Sequence, residues 1–201
     1  ALLEPGEGPA LIFDIGGGST ELVLLEGERD RLRIVDWLSA PLGVVSLAES
    51  VPVSHEASAD VRAAGYAEML ARMKAAFAGF AARLPARDRP VRLLGTSGTV
   101  TTLASVHLGL ARYDRQAVDG LIVPASAMRG IAEKLSGMSL AERMEMPCIG
   151  DERADLVVAG CAILESILDI WPAERLGVAD RGIREGILRA LLDSAQSRQL
   201  A

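Results

Sequence analysis

Residues 11–26 set Gly16-Gly17-Gly18 between two short apolar runs, Leu11 to Ile15 and Glu21 to Glu26. Glycine reaches backbone conformations closed to other residues and lays bare peptide where a side chain would stand. The pattern therefore predicts two strands joined by a tight loop with exposed main chain. A third run, Leu32 to Leu38, follows the charged turn Glu26-Gly27-Glu28-Arg29-Asp30, whose charges belong in solvent. Together these runs predict a three-stranded meander at the start of the fold.

The loop has the composition of an anion cradle. Up to four consecutive amides around Gly16, Gly17, Gly18 and Ser19 would form a nest of N–H donors, to which Ser19 and Thr20 add hydroxyls. Asp14 and Glu21 flank it, and two carboxylates beside a phosphate repel unless a hard divalent cation such as Mg2+ lies between them. Asp14 and Glu21 are therefore the expected metal ligands, with Glu21 also the candidate catalytic carboxylate.

The rest of the chain alternates strand and helix. Tyr66, Leu70, Met73, Phe77 and Phe80 recur at spacings of three and four within a helix predicted from about Ser58 to Leu84. Val91 to Leu94 predicts a short strand. It runs into Gly95-Thr96-Ser97-Gly98-Thr99, where a strand-to-helix turn would offer unpaired amides as a second phosphate wall through Gly95, Ser97, Gly98 and Thr99. The helix after it runs to about Leu108, and residues 112–122 read as a connector. Helices follow at about Ala125 to Ser136 and Ser139 to Met144, the latter opened by the Ser139/Glu142 capping box. A long helix capped by Asp151 runs until Pro172 stops it. Leu176 to Ala179 gives a last strand and Gly182 to Leu192 a last helix. This β-β-β-α-β-α-β-α order predicts an α/β domain of ribonuclease-H-like plan, a mixed five-stranded sheet with helices on both faces.

The chain of 201 residues fits one domain with a conventional core. Half its residues are hydrophobic, and its formal charge is −6, opposite to the basic excess of nucleic-acid binders. Cys148 and Cys161 are too few for a disulfide framework or a zinc site, and read as small core residues in a reducing compartment. No run approaches a membrane span, so the expected location is the cytoplasm. His55 and His107 lack metal or triad spacing and read as surface residues. Arg92, Arg153 and Arg184 are candidate cations for the site, but Arg153 and Arg184 stand beside Asp155 and Glu185, which favours structural ion pairs there; the loop from Arg83 to Arg92 reads as solvated. The first strand starts almost at once, which reads as a cut at a domain boundary.

Several stretches together resemble one family: Asp14-Ile15-Gly16-Gly17-Gly18-Ser19-Thr20-Glu21, Pro41-Leu42-Gly43-Val44-Val45, Gly95-Thr96-Ser97-Gly98-Thr99, Met138-Ser139 with Glu142-Arg143, Arg153-Ala154-Asp155 and Arg184-Glu185-Gly186. In this order they resemble the exopolyphosphatase and guanosine-pentaphosphatase (Ppx/GppA) family of the actin-like ATPase superfamily. Many relatives carry an arginine near the position of Ser46, which this chain lacks. The resemblance implies a two-lobed Mg2+-dependent hydrolase releasing terminal phosphate from inorganic polyphosphate or guanosine pentaphosphate. It makes this chain the second lobe, inactive alone, with the water-activating glutamate in a first lobe that is absent here. A non-hydrolytic nucleotide-sensing module and a kinase of the same superfamily are the competing readings. The flank bared by a missing lobe leaves a homodimer open.

Overall fold

The computed structural model describes residues 8–27, 33–83 and 91–180. Strands β1 (Ala10–Ile15) and β2 (Thr20–Glu26) pair antiparallel, and β3 (Arg33–Ala40) pairs antiparallel with β2. The register shifts between Leu24 and Leu25. On its other side β1 runs parallel to β4 (Arg92–Thr96), which runs parallel to β6 (Arg175–Ala179). A short β5 (Ile122–Pro124) closes the sheet antiparallel to β6, giving the order β3-β2-β1-β4-β6-β5. The mixed sheet of ribonuclease-H-like, actin-like type is as the sequence predicts, but it has six strands in place of five. β5 spans only Ile122–Pro124, too short to show a period, and it ends in proline, which is tolerated at a sheet edge. The connector before it also holds the helical turn α4 (Arg115–Val118), capped by Asp114.

Helix α2 (Ala59–Arg83) follows the predicted stripe: Met69, Met73, Phe77 and Phe80 are buried, with Tyr66 and Leu70 at its margin. Phe77 and Phe80 pack on Trp171, at ring-centroid distances of 6.1 and 5.8 Å. Helices α3 (Ser97–His107), α5 (Ala125–Gly137) and α6 (Leu140–Met144) lie where expected, α6 with its capping box formed between Ser139 and Glu142. The short helix α1 (Val44–Ser50) carries no helical period in the sequence, because it is too short for a stripe and buries only Leu47.

The long helix expected from Asp151 is two helices, α7 (Asp151–Ala154) and α8 (Val157–Ile170). Asp151 is no cap: the N-cap is Gly150, in the left-handed region at φ 67°, and no side chain bonds there. The Ala154 carbonyl is engaged by Arg143 Nε at 2.7 Å, where an unbroken helix would continue its own ladder. Burial lowers the pKa of the Arg143 guanidinium, opposed by the Asp155 carboxylate. Arg143 also donates to the Met138 carbonyl at 2.6 Å, tying α5, α6 and α7 together.

Among the described residues no helix is long and apolar enough to cross a membrane. Cys161 is buried and Cys148 half-buried, both as free thiols. The predicted last helix with Arg184-Glu185-Gly186, the tip after Gly27 and most of the Arg83 to Arg92 loop lie outside the described residues.

Candidate phosphate-binding cleft

The three parallel strands β1, β4 and β6 end at one edge, where open α/β sheets carry their ligands. One register row crosses that edge: Ser39 opposite Glu21, Glu21 opposite Asp14, Asp14 opposite Thr96, and Thr96 opposite Ala179. Residues directly opposite in a sheet share a face, so Asp14 and Glu21 stand side by side. Glu21 Oε1 accepts the hydroxyls of Ser19 at 2.6 Å and Ser39 at 2.9 Å. Thr96, next in the row, is 4% exposed, and its buried Oγ1 has no hydrogen-bond partner among the described residues.

The glycine loop leaves three amides for a ligand, where the sequence allowed four. Gly16 N–H donates to the Ser19 carbonyl at 3.0 Å and closes the turn. Among the described residues the amides of Gly17, Gly18 and Ser19 meet no acceptor, and Gly17 and Gly18 are exposed. The loop carbonyls face α1: Gly16 O accepts Val44 N–H at 2.9 Å, and Gly17 O accepts Val45 N–H at 2.8 Å. Gly43 is required by this contact, since a Cβ there would overlap the Gly16 carbonyl oxygen and come within 2.6 Å of the Gly17 carbonyl.

Ser97 begins the opposite wall at φ 86°, a backbone conformation uncommon for a residue with a side chain. Its Oγ donates to Ile15 O at 2.8 Å and accepts Ile15 N–H at 3.2 Å, pinning α3 to the end of β1. Gly98 and Thr99 follow in the first turn of α3, whose amides have no intrahelical partners. Arg153 Nη1 donates to Thr102 Oγ1 at 2.7 Å from an exposed position on α7. Asp180, just past β6, holds Arg115 at 2.8 Å. The Tyr113 phenol is pushed up to about 12 by burial first and by its bond to Asp180 second. These walls enclose a cleft of about 750 Å3 lined by Asp14, Gly16, Gly17, Glu21, Ser97, Gly98, Thr99 and Arg153, among others.

The structure thus brings Asp14, Glu21, Gly16, Gly17, Ser97, Gly98 and Thr99 to one cleft; Gly18 and Ser19 are not among its lining residues, and Thr20, Gly95, the Ser97 hydroxyl and Arg153 depart from the expectation. Thr20 is fully buried and its hydroxyl donates to Leu42 O at 2.7 Å, so it adds no donor to the concavity. Gly95 does not line the cleft; it is a packing position, where a Cβ would come within 2.7 Å of the Phe13 ring. Ser97 does line it, but its hydroxyl is committed to Ile15 in both senses. Arg153 is not paired with Asp155, which meets His55 at 3.5 Å. The Arg153 side chain lines the cleft instead, as a candidate cation there.

Fold and cleft define a ribonuclease-H-like domain of the actin-like ATPase class, with bare amides and paired carboxylates at the ends of its parallel strands. The sequence profile of the Ppx/GppA phosphatase family matches residues 2–195, and the chain belongs to that family. It is 28% identical over 192 residues to Exopolyphosphatase 2 of Mycobacterium tuberculosis, covering 91% of this chain and 56% of the relative. It is also 28% identical over 195 residues to the guanosine-5'-triphosphate,3'-diphosphate pyrophosphatase of Aeromonas salmonicida, covering 93% of this chain and 34% of that protein. The crystal structure of the Aquifex aeolicus Ppx/GppA family member superposes with a TM-score of 0.77 at 25% identity, over 94% of this chain and 58% of that one. The chain therefore spans between about a third and three fifths of these relatives.

Proposed function

We propose that this chain is the second, phosphate-gripping lobe of a phosphohydrolase that releases terminal phosphate from inorganic polyphosphate. The observation that carries the reading is the set of Gly17, Gly18 and Ser19 amides without acceptors, on the loop bounded by the Asp14–Glu21 pair. Amides fixed before the substrate arrives need no reorganisation as charge develops on the transferred phosphoryl group, which is where such donors act most strongly.

The carboxylate pair fits Mg2+ held jointly with substrate. This ion takes hard oxygen ligands, commonly one or two carboxylates together with phosphate oxygens. Among the described residues no cluster of three or more His, Cys, Asp or Glu side chains is available to hold a metal without substrate. The orphaned Thr96 Oγ1 beside Asp14 supplies a further buried polar atom to that row. Bound there, the ion would neutralise charge between the phosphate oxygens and the two carboxylates. Ser19 and Ser39 orient Glu21 by donating to its Oε1, and Arg153 faces the same cleft as a cation for an outer phosphate. The residue that activates water belongs, in this reading, to the first lobe.

Guanosine pentaphosphate is the second substrate reading, because a named relative of equal identity acts on that kind of nucleotide. Polyphosphate is preferred here: among the described residues lining the cleft there is no aromatic ring on which a base would stack. Calorimetry of the 201-residue chain with Mg2+ and tripolyphosphate, alongside a phosphate-release assay, tests the proposal. Binding without turnover is the expected result, weakened in Asp14→Asn. Absence of binding, or turnover equal to a two-lobed relative, refutes it.

A further inference from the structure

Three peptide groups of the glycine loop are held from one side. Gly16 O accepts from Val44 N at 2.9 Å, Gly17 O from Val45 N at 2.8 Å and Ser46 N at 3.3 Å, and Gly18 O from Ser46 Oγ at 3.2 Å. No peptide bond among the described residues is cis. In a planar trans peptide the carbonyl of one residue and the N–H of the next point in opposite directions. Gripping the carbonyls of Gly16, Gly17 and Gly18 therefore aims the N–H groups of Gly17, Gly18 and Ser19 away from α1. Those are the amides that meet no acceptor in the described structure. The N-terminal amides of α1 are consumed by this contact and are not themselves a ligand site.

We infer that α1 with its Gly43-Val44-Val45-Ser46 entrance is a positioning clamp for the phosphate loop, and that Ser46 is the side chain that sets it. Ser46 does two things at once. Its Oγ accepts Gly43 N–H at 2.8 Å, which orders the start of α1, and it reaches Gly18 O at 3.2 Å, which orients the peptide carrying the Ser19 amide. A loop rich in glycine has the least intrinsic preference for one peptide orientation, so its donors converge only if something outside the loop holds the carbonyls. Gly43 permits the approach, and Ser46 locks the last of the gripped peptides. Neither residue touches the ligand in this account; both act through the loop.

The inference rests on the reading of the loop as the phosphate site, and the test separates the two. Ser46 is half-buried, so Ser46→Ala removes a hydroxyl without opening a cavity in the core. In 1H–15N spectra of the 201-residue chain, Mg2+ with tripolyphosphate should shift the Gly17, Gly18 and Ser19 amide resonances. In Ser46→Ala the ligand-free Ser19 amide should move, and tripolyphosphate affinity should fall about tenfold, the scale of one lost orienting hydrogen bond, while the urea midpoint falls only slightly, for the lost bond to Gly43 N–H. Ser46→Thr keeps the oxygen and should restore affinity. Gly43→Ala, which forces α1 off the Gly16 carbonyl, should lose more. Wild-type affinity and unmoved loop resonances in Ser46→Ala overturn the clamp while the phosphate site stands. No ligand-induced shift in the wild-type loop sinks the site reading and the clamp with it. A fall in stability without a fall in affinity makes Ser46 a merely structural residue and also overturns the inference.

Discussion

Substituting Gly95 by alanine separates a packing glycine from a phosphate-binding one. A Cβ at Gly95 would lie 2.7 Å from both Cε2 and Cζ of Phe13 and 2.9 Å from Cγ1 of Val100. Ordinary carbon contacts settle at about 3.5–4.0 Å, so ring and methyl must each retreat by roughly 1 Å. Neither has room: Phe13 and Val100 are both 0% exposed, one beneath the sheet row that carries Asp14, the other on the first turns of α3. Overpacking of this kind costs about 1–3 kcal/mol. For a domain of this size that is a fall of about 2–12 °C in the melting midpoint. Gly98→Ala is the matched control, since its Cβ would meet nothing within 4 Å and it sits in the first turn of α3, where alanine is the better helix former. Thermal melts by circular dichroism give the stability arm, and tripolyphosphate titration below both midpoints gives the binding arm. Gly95→Ala should melt lower yet bind like wild type, and Gly98→Ala should melt at or above wild type. Unchanged melting with lost affinity in Gly95→Ala would refute the packing argument and return that glycine to the ligand.

Arg153→Ala should leave the melting midpoint almost unchanged, because the side chain is exposed, and should weaken tripolyphosphate binding about tenfold by removing a charge-assisted donor; equal affinity in calorimetry would remove Arg153 from the site. Stability should also decline at alkaline pH. Burial pushes the Cys161 thiol from an ordinary 9.0 up to about 12, the Tyr113 phenol stands at about 12, and burial with the Glu165 bond raises Tyr66 further. Each folded pKa exceeds its unfolded value, so the neutral forms contribute stability that is complete below about pH 9 and is lost as pH rises toward 12. Urea midpoints that stay level from pH 8 to 11 would contradict this.

The legible parts of the sequence were those where one local signal sufficed. Alternating apolar residues marked β1 and β2, a stripe ending in Phe77 and Phe80 marked α2, and Ser139 with Glu142 marked the start of α6. Where the signal was shorter than its period, as in β5 and α1, nothing in the chain announced the element. Asp151 resembled a cap because an acid before an apolar stripe usually is one; Gly150, at φ 67°, takes that position instead, and the Arg143 guanidinium sits on the Ala154 carbonyl where α7 stops.

The candidate site divides along the same line. By itself the sequence determined that bare amides and two carboxylates are adjacent, because Asp14, the glycines and Glu21 are covalent neighbours across a hairpin turn. Only the tertiary structure decided which groups are free to act. Register set Glu21 beside Asp14 and Asp14 beside Thr96, and burial withdrew the Thr20 hydroxyl to Leu42. Ile15 claimed the Ser97 hydroxyl, and α1 turned the loop carbonyls one way and its amides the other. The physical reason is that a donor's availability depends on every acceptor within about 3 Å of it, and those acceptors lie tens of residues away along the chain.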